Sequence, residues 1–409
     1  MATTAIPNST KDPLVEPAPA GLTRSGAVRV DAIDMLRGLV IAIMVLDHVR
    51  DFFHIDATRF DPTDPLKTTP MLFATRWVTH LCAPTFVFLA GVSVLFQKAN
   101  GKAPGDLSRF LLTRGAWLIL LEATVISFGF NFGEPFLFLQ VIWAIGASMV
   151  CMAAVARLPS RAVLGIGISI LLLYPFAVPP TAGATGAAAV ARMLLLAPGV
   201  VPGEPILAYY AAIPWLGVMC LGFGLGPVFR LSQAARARRL LAISLGLLLA
   251  FAVLRTIDGY GDPAPWVHEP TETQTVLSYL NVSKYPPSPE YVCATLGISM
   301  LLFLALERLR GPVARVLLNF GRTPLFTYVC HIYIAHGLML AAVLVVGFPI
   351  SVAFNTVSAD LLGGAHTGWG FSLPVVYAVW AVVVALLIPL SSWFAGVKRR
   401  RRDWWLSYL

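Results

Sequence analysis

The sequence predicts an all-α fold, a polytopic membrane helix bundle of about ten transmembrane helices with both termini cytoplasmic. Three observations lead there. Hydrophobic residues make up 57% of the 409 and charged residues 12%, about half the charge of an ordinary soluble domain. Apolar stretches of about 20 residues, long enough to cross a hydrocarbon core, recur along the chain. The basic residues also alternate between the connecting segments. With ten spans, only Arg50, Arg59, Lys67, Arg76, Arg192, Arg255 and Lys284 fall on the side opposite the termini, and the other 23 of the 30 Lys+Arg lie on the terminal side. The positive-inside rule makes that side cytoplasmic and the multi-pass location the cell (inner or plasma) membrane. The net charge of +9 is therefore a topology signal and not a nucleic-acid footprint.

The expected spans are 34–53, 73–96, 111–131, 137–156, 162–178, 206–226, 240–256, 289–306, 324–345 and 373–395. Pro135, Pro159, Pro179, Pro180, Pro227 and Pro349 punctuate their ends, and no internal repeat is visible. Residues 1–28, with Pro and Ser but no apolar core, are expected to form a disordered cytoplasmic tail. Residues 29–397 form the bundle and 398–409 a basic cytoplasmic tail, where "KRRRRDWW" reads as a stop-transfer anchor with Trp404 and Trp405 at headgroup level. Long outer connections at 54–72, 179–205 and 257–288 point to an extracytoplasmic function. Cys82, Cys151, Cys220, Cys293 and Cys330 lack metal-like spacing and read as packing residues.

The polar residues inside the spans carry the chemistry. In the first, "DMLRGLVIAIMVLDHVRDFFH", eleven helical steps separate Arg37 from His48, about 20° from three full turns and about 16 Å along the axis. Asp34, Arg37 and His48 thus form one polar stripe; Asp47 and Asp51 are one turn apart, and Asp51 is close enough to hold the imidazole. Ionisable groups in a span are costly and are usually functional or paired; snorkelling of Arg37 and Asp34 to the headgroups is the plainer alternative. In the second span, Arg76 and His80 share a face. Pro84 lacks an N–H, so the helix should kink at the His80 carbonyl and free it for another donor. Glu122, deep in the third span, must be protonated or paired, and is a candidate to orient a His or Arg.

The ninth span opens "GRTPLFTYVCHIYIAH", with Thr323 as N-cap and Pro324 at the first helical position. His331 lies near mid-membrane one turn after Tyr328, either bonding within the bundle or lining a pore. His336 faces elsewhere, so no zinc pair is expected. Outside the membrane, "NVSKYPPSPEY" puts Lys284 and Tyr285 where they can meet an anionic or sugar acceptor, or simply anchor the loop. "GFGLG" at 222–226 has no preceding strand and is not a dinucleotide fingerprint.

The runs "RVDAIDMLRGLVIAIMVLDH", "CAPTFVFLAGVS", "FGRTPLFTYVCHIYIAH" and "RRRRDWWLSYL" resemble the bacterial relatives of heparan-alpha-glucosaminide N-acetyltransferase over residues 29–409. The resemblance implies a membrane acyltransferase that takes acetyl from cytoplasmic acetyl-CoA and delivers it across the bilayer. That family has Asn where this chain has His48, and its proposed catalytic His follows the first span, where His54 is the nearest here at a different spacing. The Gly38-to-His48 spacing instead resembles the first helix of the acyltransferase-3 family, whose His is proposed to be catalytic. The acceptor stays open: a cell-envelope glycan, a lipid-linked sugar or a small molecule.

On this reading Arg37, Arg114 and Arg322 meet the coenzyme A phosphates. His48 is general base or acyl carrier, Asp51 or Asp47 holds its ring, and Arg76 or His80 stabilises the oxyanion. Glu122, His331 and Asp34 support; Lys284, Tyr285 and His54 bind the acceptor. No metal is expected, and related enzymes suggest a homodimer. The rival reading is a proton-coupled transporter or permease in which the same groups relay protons; the absent repeat and large outer loops stand against it.

Overall fold

The computed structural model describes residues 30–177, 186–200, 204–357, 368–401 and 403–407. The tail expected over 1–28 lies outside these residues, as does Arg402 of the basic anchor. The fold is all-α, and a helix occupies each expected span. In chain order the helices are α1 (Asp31–Phe53), α2 (Pro70–Thr79), α3 (Cys82–Ala99), α4 (Pro104–Leu121), α5 (Ser127–Asn131), α6 (Val141–Val155), α7 (Ser160–Ala177) and α8 (Gly186–Leu195). They continue with α9 (Ala212–Phe229), α10 (Gln233–Ile257), α11 (Glu272–Leu280), α12 (Pro289–Leu306), α13 (Pro312–Arg322), α14 (Pro324–Val346) and α15 (Leu373–Arg400).

Among the described residues, 8 helical segments are long and apolar enough to cross a membrane, with α2–α3 and α4–α5 each counted as one. Two expected spans fall outside that group. α1 carries Asp31, Asp34, Arg37, Asp47, Arg50 and Asp51, and α6 has 15 residues, about 22 Å of helix.

Local chemistry sets the boundaries. Pro at the first turn starts α2, α4, α12, α13 and α14, where its missing N–H has no helical partner to lose. Thr69, Thr271 and Ser288 cap α2, α11 and α12 by accepting a backbone N–H. Thr323 does not cap α14 as expected. Its hydroxyl instead donates back to the Asn319 carbonyl at 2.9 Å, which also accepts the Thr323 N–H, so Thr323 closes the C-terminal end of α13.

The expected spans at 137–156 and 206–226 both start too early. Their first residues form strands β1 (Leu137–Leu139) and β3 (Ile206–Ala208), which pair in parallel, with β2 (Gly199–Val200) antiparallel to β3. The second span goes beyond the expected kink and divides: α2 stops at Thr79, α3 starts at Cys82, and Tyr291 Oη donates to the freed His80 carbonyl at 2.9 Å.

α1 runs through the interior against α3, α12, α13, α14 and α15. Its backbone meets α13 at Gly38 and Gly321, where any Cβ would collide with the opposing carbonyls of Leu317 and Asp34. Gly91 and Gly222 let α3 and α9 approach in the same way, which gives the "GFGLG" run a packing role. The Arg236–Glu307 ion pair ties α10 to the end of α12.

Candidate active site

Two histidines meet in the interior. Nδ1 of His48 on α1 lies 2.6 Å from Nε2 of His331 on α14, with the rings stacked at 4.9 Å. Phe130 meets the His48 ring edge-on at 4.9 Å and Tyr328 lies 5.2 Å from the His331 ring, so both imidazoles have fixed planes. With the proton on His48 Nδ1 the bond donates to His331, and His48 Nε2 is left as an acceptor. No other described residue bonds Nε2.

This differs from the expectation that Asp51 or Asp47 holds the His48 ring. Both carboxylates are taken by guanidinium groups, which satisfy a buried negative charge better than a neutral imidazole can. Asp47 accepts from Arg76 at 2.7 and 2.9 Å and from Arg50 at 3.1 Å; Asp51 accepts from Arg50 at 2.6 Å. Arg76 is thereby committed to Asp47. His80 is buried against Tyr291 with its rings 5.4 Å apart, and its Nδ1 has no hydrogen-bond partner among the described residues.

Toward the other end of α1 lies a cavity of about 280 Å³, near the lower end of small-molecule sites at about 300–1,000 Å³. Arg37, Ser93, Gln97 and Arg114 supply its polar wall, and Met44, one turn before His48, and Tyr328 lie at its inner reach. Arg37 is held by Asp34 at 3.0 Å, Ser93 at 3.2 Å and the Gly321 carbonyl at 3.4 Å. Tyr328 is buried, and its hydroxyl has no partner among the described residues. Arg322 does not line this cavity; it faces Asp31 at 3.2 Å and Asp34 at 3.8 Å.

Glu122 does not orient a His or Arg. It opens a π-helical turn, Glu122–Ile126, and its carboxylate accepts the backbone N–H groups of Gln140 at 2.9 Å and Trp143 at 3.1 Å. These are unpartnered donors at the start of α6, where the helix dipole also favours negative charge. Glu122 therefore caps a helix from outside it.

Beyond the Asp47 cluster, Lys284 is buried with its ammonium 5.0 Å from the Tyr285 ring and 6.0 Å from the Tyr210 ring. Tyr285 also stacks on Tyr209 at 5.0 Å. Arg255, fully buried, holds this loop in place through the carbonyls of Ala264, Ser278, Tyr279 and Asn281 at 2.7–3.0 Å. His54 stands apart from these rings. Its Nδ1 accepts the Asp56 N–H at 3.2 Å, its backbone bridges to Phe371, and burial pushes its imidazole below the ordinary value.

Sequence reasoning missed Tyr209, Tyr210 and Arg255, and did not pair His331 with His48. No local signal predicts a contact between residues 283 positions apart.

Residues 29–254 match the family model described as heparan-alpha-glucosaminide N-acetyltransferase, catalytic. The chain belongs to this family. No curated protein matches it. Family membership implies a membrane acetyltransferase, and the family uses acetyl-CoA. The match includes the His48, Arg37, Arg76 and Arg114 positions and stops before Lys284 and His331. Among the described residues, no group of three or more His, Cys, Asp and Glu side chains is placed to hold a metal ion.

Proposed function

We propose that this protein transfers acetyl from cytoplasmic acetyl-CoA to an extracytoplasmic hydroxyl or amine, with His48 as general base. The observation that carries this reading is the cavity that begins at Arg37 and Arg114 and reaches Tyr328, whose ring is 6.2 Å from His48. Its volume suits an acyl-pantetheine arm, with the anionic nucleotide left at the mouth against the guanidinium groups. Coenzyme A then stays on the side of the termini, which the basic-residue bias makes cytoplasmic.

His48 Nε2 takes the acceptor proton while His331 accepts the Nδ1 proton in a hydrogen bond, the task a carboxylate performs in other triads. The acceptor heteroatom bonds to the thioester carbon, and the oxyanion forms where the unpartnered Tyr328 hydroxyl can donate to it. Collapse breaks the C–S bond, and His48 returns its proton to the departing thiolate. Lys284 and Tyr285 face the incoming acceptor.

The test is thiol release from acetyl-CoA by purified protein in detergent with a hydroxyl or amine acceptor present, together with the thermal shift that acetyl-CoA alone produces. Wild type should show both. His48→Ala should lower turnover by about 10²–10⁴-fold, the usual contribution of a general base, while the thermal shift persists. No release and no shift in wild type, with proton-coupled uptake in liposomes, would overturn the proposal in favour of transport.

A further inference from the structure

Met44 stands between the cavity and His48. It follows Arg37 by seven residues on α1, about 10 Å deeper and about 20° from the same face, and precedes His48 by one turn. Its side chain is buried and closes the inner end of the cavity with Val141, Ile142 and Tyr328, while His48 lies behind that wall and does not line the cavity. The space behind is bounded by rings in contact. Phe130 and His331 each lie 4.9 Å from the His48 ring, and Phe130 also meets Phe138 at 5.3 Å. Val141 and Ile142 are β-branched and stiff, and Tyr328 has a planar ring. Met44 alone of these four is unbranched and flexible, so its conformation decides how far the cavity extends. An acyl-pantetheine arm that enters past Arg37 and Arg114 leads with its acyl group, which meets this wall.

We propose that Met44 is a specificity-determining residue that limits the donor to a short, acetyl-sized acyl group. This rests on the acetyltransfer reading and adds which acyl chains the donor site accepts. With the thioether in place, the thioester carbonyl reaches the Tyr328 hydroxyl only when no longer chain precedes it. Each added methylene must displace Met44 or enter the packed rings around His48. A close-packed apolar wall rejects one extra methylene by about 10–200-fold. Truncation of Met44 to Ala removes Cγ, Sδ and Cε, which leaves room for the added carbons of a butyryl group.

Titration of the purified full chain in neutral detergent with acetyl-CoA and with butyryl-CoA, read as thermal shifts without any acceptor, tests this independently of thiol release. Wild type should bind acetyl-CoA at least about tenfold more tightly than butyryl-CoA. Met44→Ala should bring the two within about threefold by strengthening the butyryl thioester, and Met44→Leu, which conserves volume, should keep the wild-type ratio. Met44→Cys, a milder truncation, should give an intermediate ratio and carries the test if Met44→Ala does not fold. Met149 also lines the cavity but lies next to Val150, which meets α4 at Gly115 beside Arg114. Met149→Ala should therefore enlarge the other end and keep the preference for acetyl. Equal binding of the two thioesters by wild type, a preference that survives truncation of Met44, or the same loss of preference in Met149→Ala overturns the inference alone. Absence of a shift with either thioester in wild type overturns the acetyltransfer reading and this inference with it.

Discussion

The two ends of α1 handle buried charge in opposite ways. Near Arg37 the guanidinium is shared among a carboxylate, a hydroxyl and a backbone carbonyl, beside an open cavity. Near Asp47 two guanidinium groups converge on one carboxylate. One carboxylate, a hydroxyl and a carbonyl fix Arg37 at the cavity wall, where on the proposed reading an entering anion would meet it. At the second end the ions saturate one another. His48 lies between these regimes, which suits a group that must meet a carrier from one side and a nucleophile from the other.

The sharpest way to break this contrast is to remove the shared carboxylate. Asp47→Asn takes from buried Arg76 its described carboxylate, while Arg50 keeps Asp51, and should cost about 3–5 kcal/mol of stability, read as a fall in unfolding temperature in detergent. Asp34→Asn, at the end where Arg37 retains Ser93 and the Gly321 carbonyl, should cost about 1 kcal/mol. Equal losses would mean that the ends do not differ as described. Next in size, Arg114→Gln should weaken acetyl-CoA binding about tenfold, the worth of one charge-assisted hydrogen bond, with Arg322→Gln much closer to wild type because Arg322 lies off the cavity. A reversal of that order would move the donor site.

The smallest effect concerns His54. Burial depresses its imidazole in the folded protein, so the unfolded chain takes up its proton first as pH falls below about 6.5. Stability is therefore lost from that point downward, and His54→Gln should flatten the part of the acid-side decline that His54 contributes. An unchanged slope between pH 7 and pH 5.5 would show that His54 titrates alike in both states.

Much of this was legible in the sequence. Helical periodicity put Asp34, Arg37 and His48 on one stripe of α1, and Arg37 does bond Asp34. The missing amide of Pro84 predicted a kink at His80, where the helix in fact divides, and a new donor for its carbonyl, found in Tyr291. Other features were hidden for identifiable reasons. The start of α6 lies in a run that is apolar apart from Gln140, so little marked where Glu122 would find exposed amides. β3 lies in a similar run read as helix, and that concealed Tyr209 and Tyr210 at its end. The His48–His331 contact is tertiary, and a guanidinium nearby outcompeted the local partner that spacing favoured.

The stacked histidines carry one more consequence, for biosynthesis. One ring belongs to α1 and the other to α14, which leaves the ribosome 283 residues later. A nascent chain can thus insert most of its helices while the proton acceptor is still unsupported. Assembly of α14, which lies outside the stretch matched to the family, would set the moment at which the pair is complete.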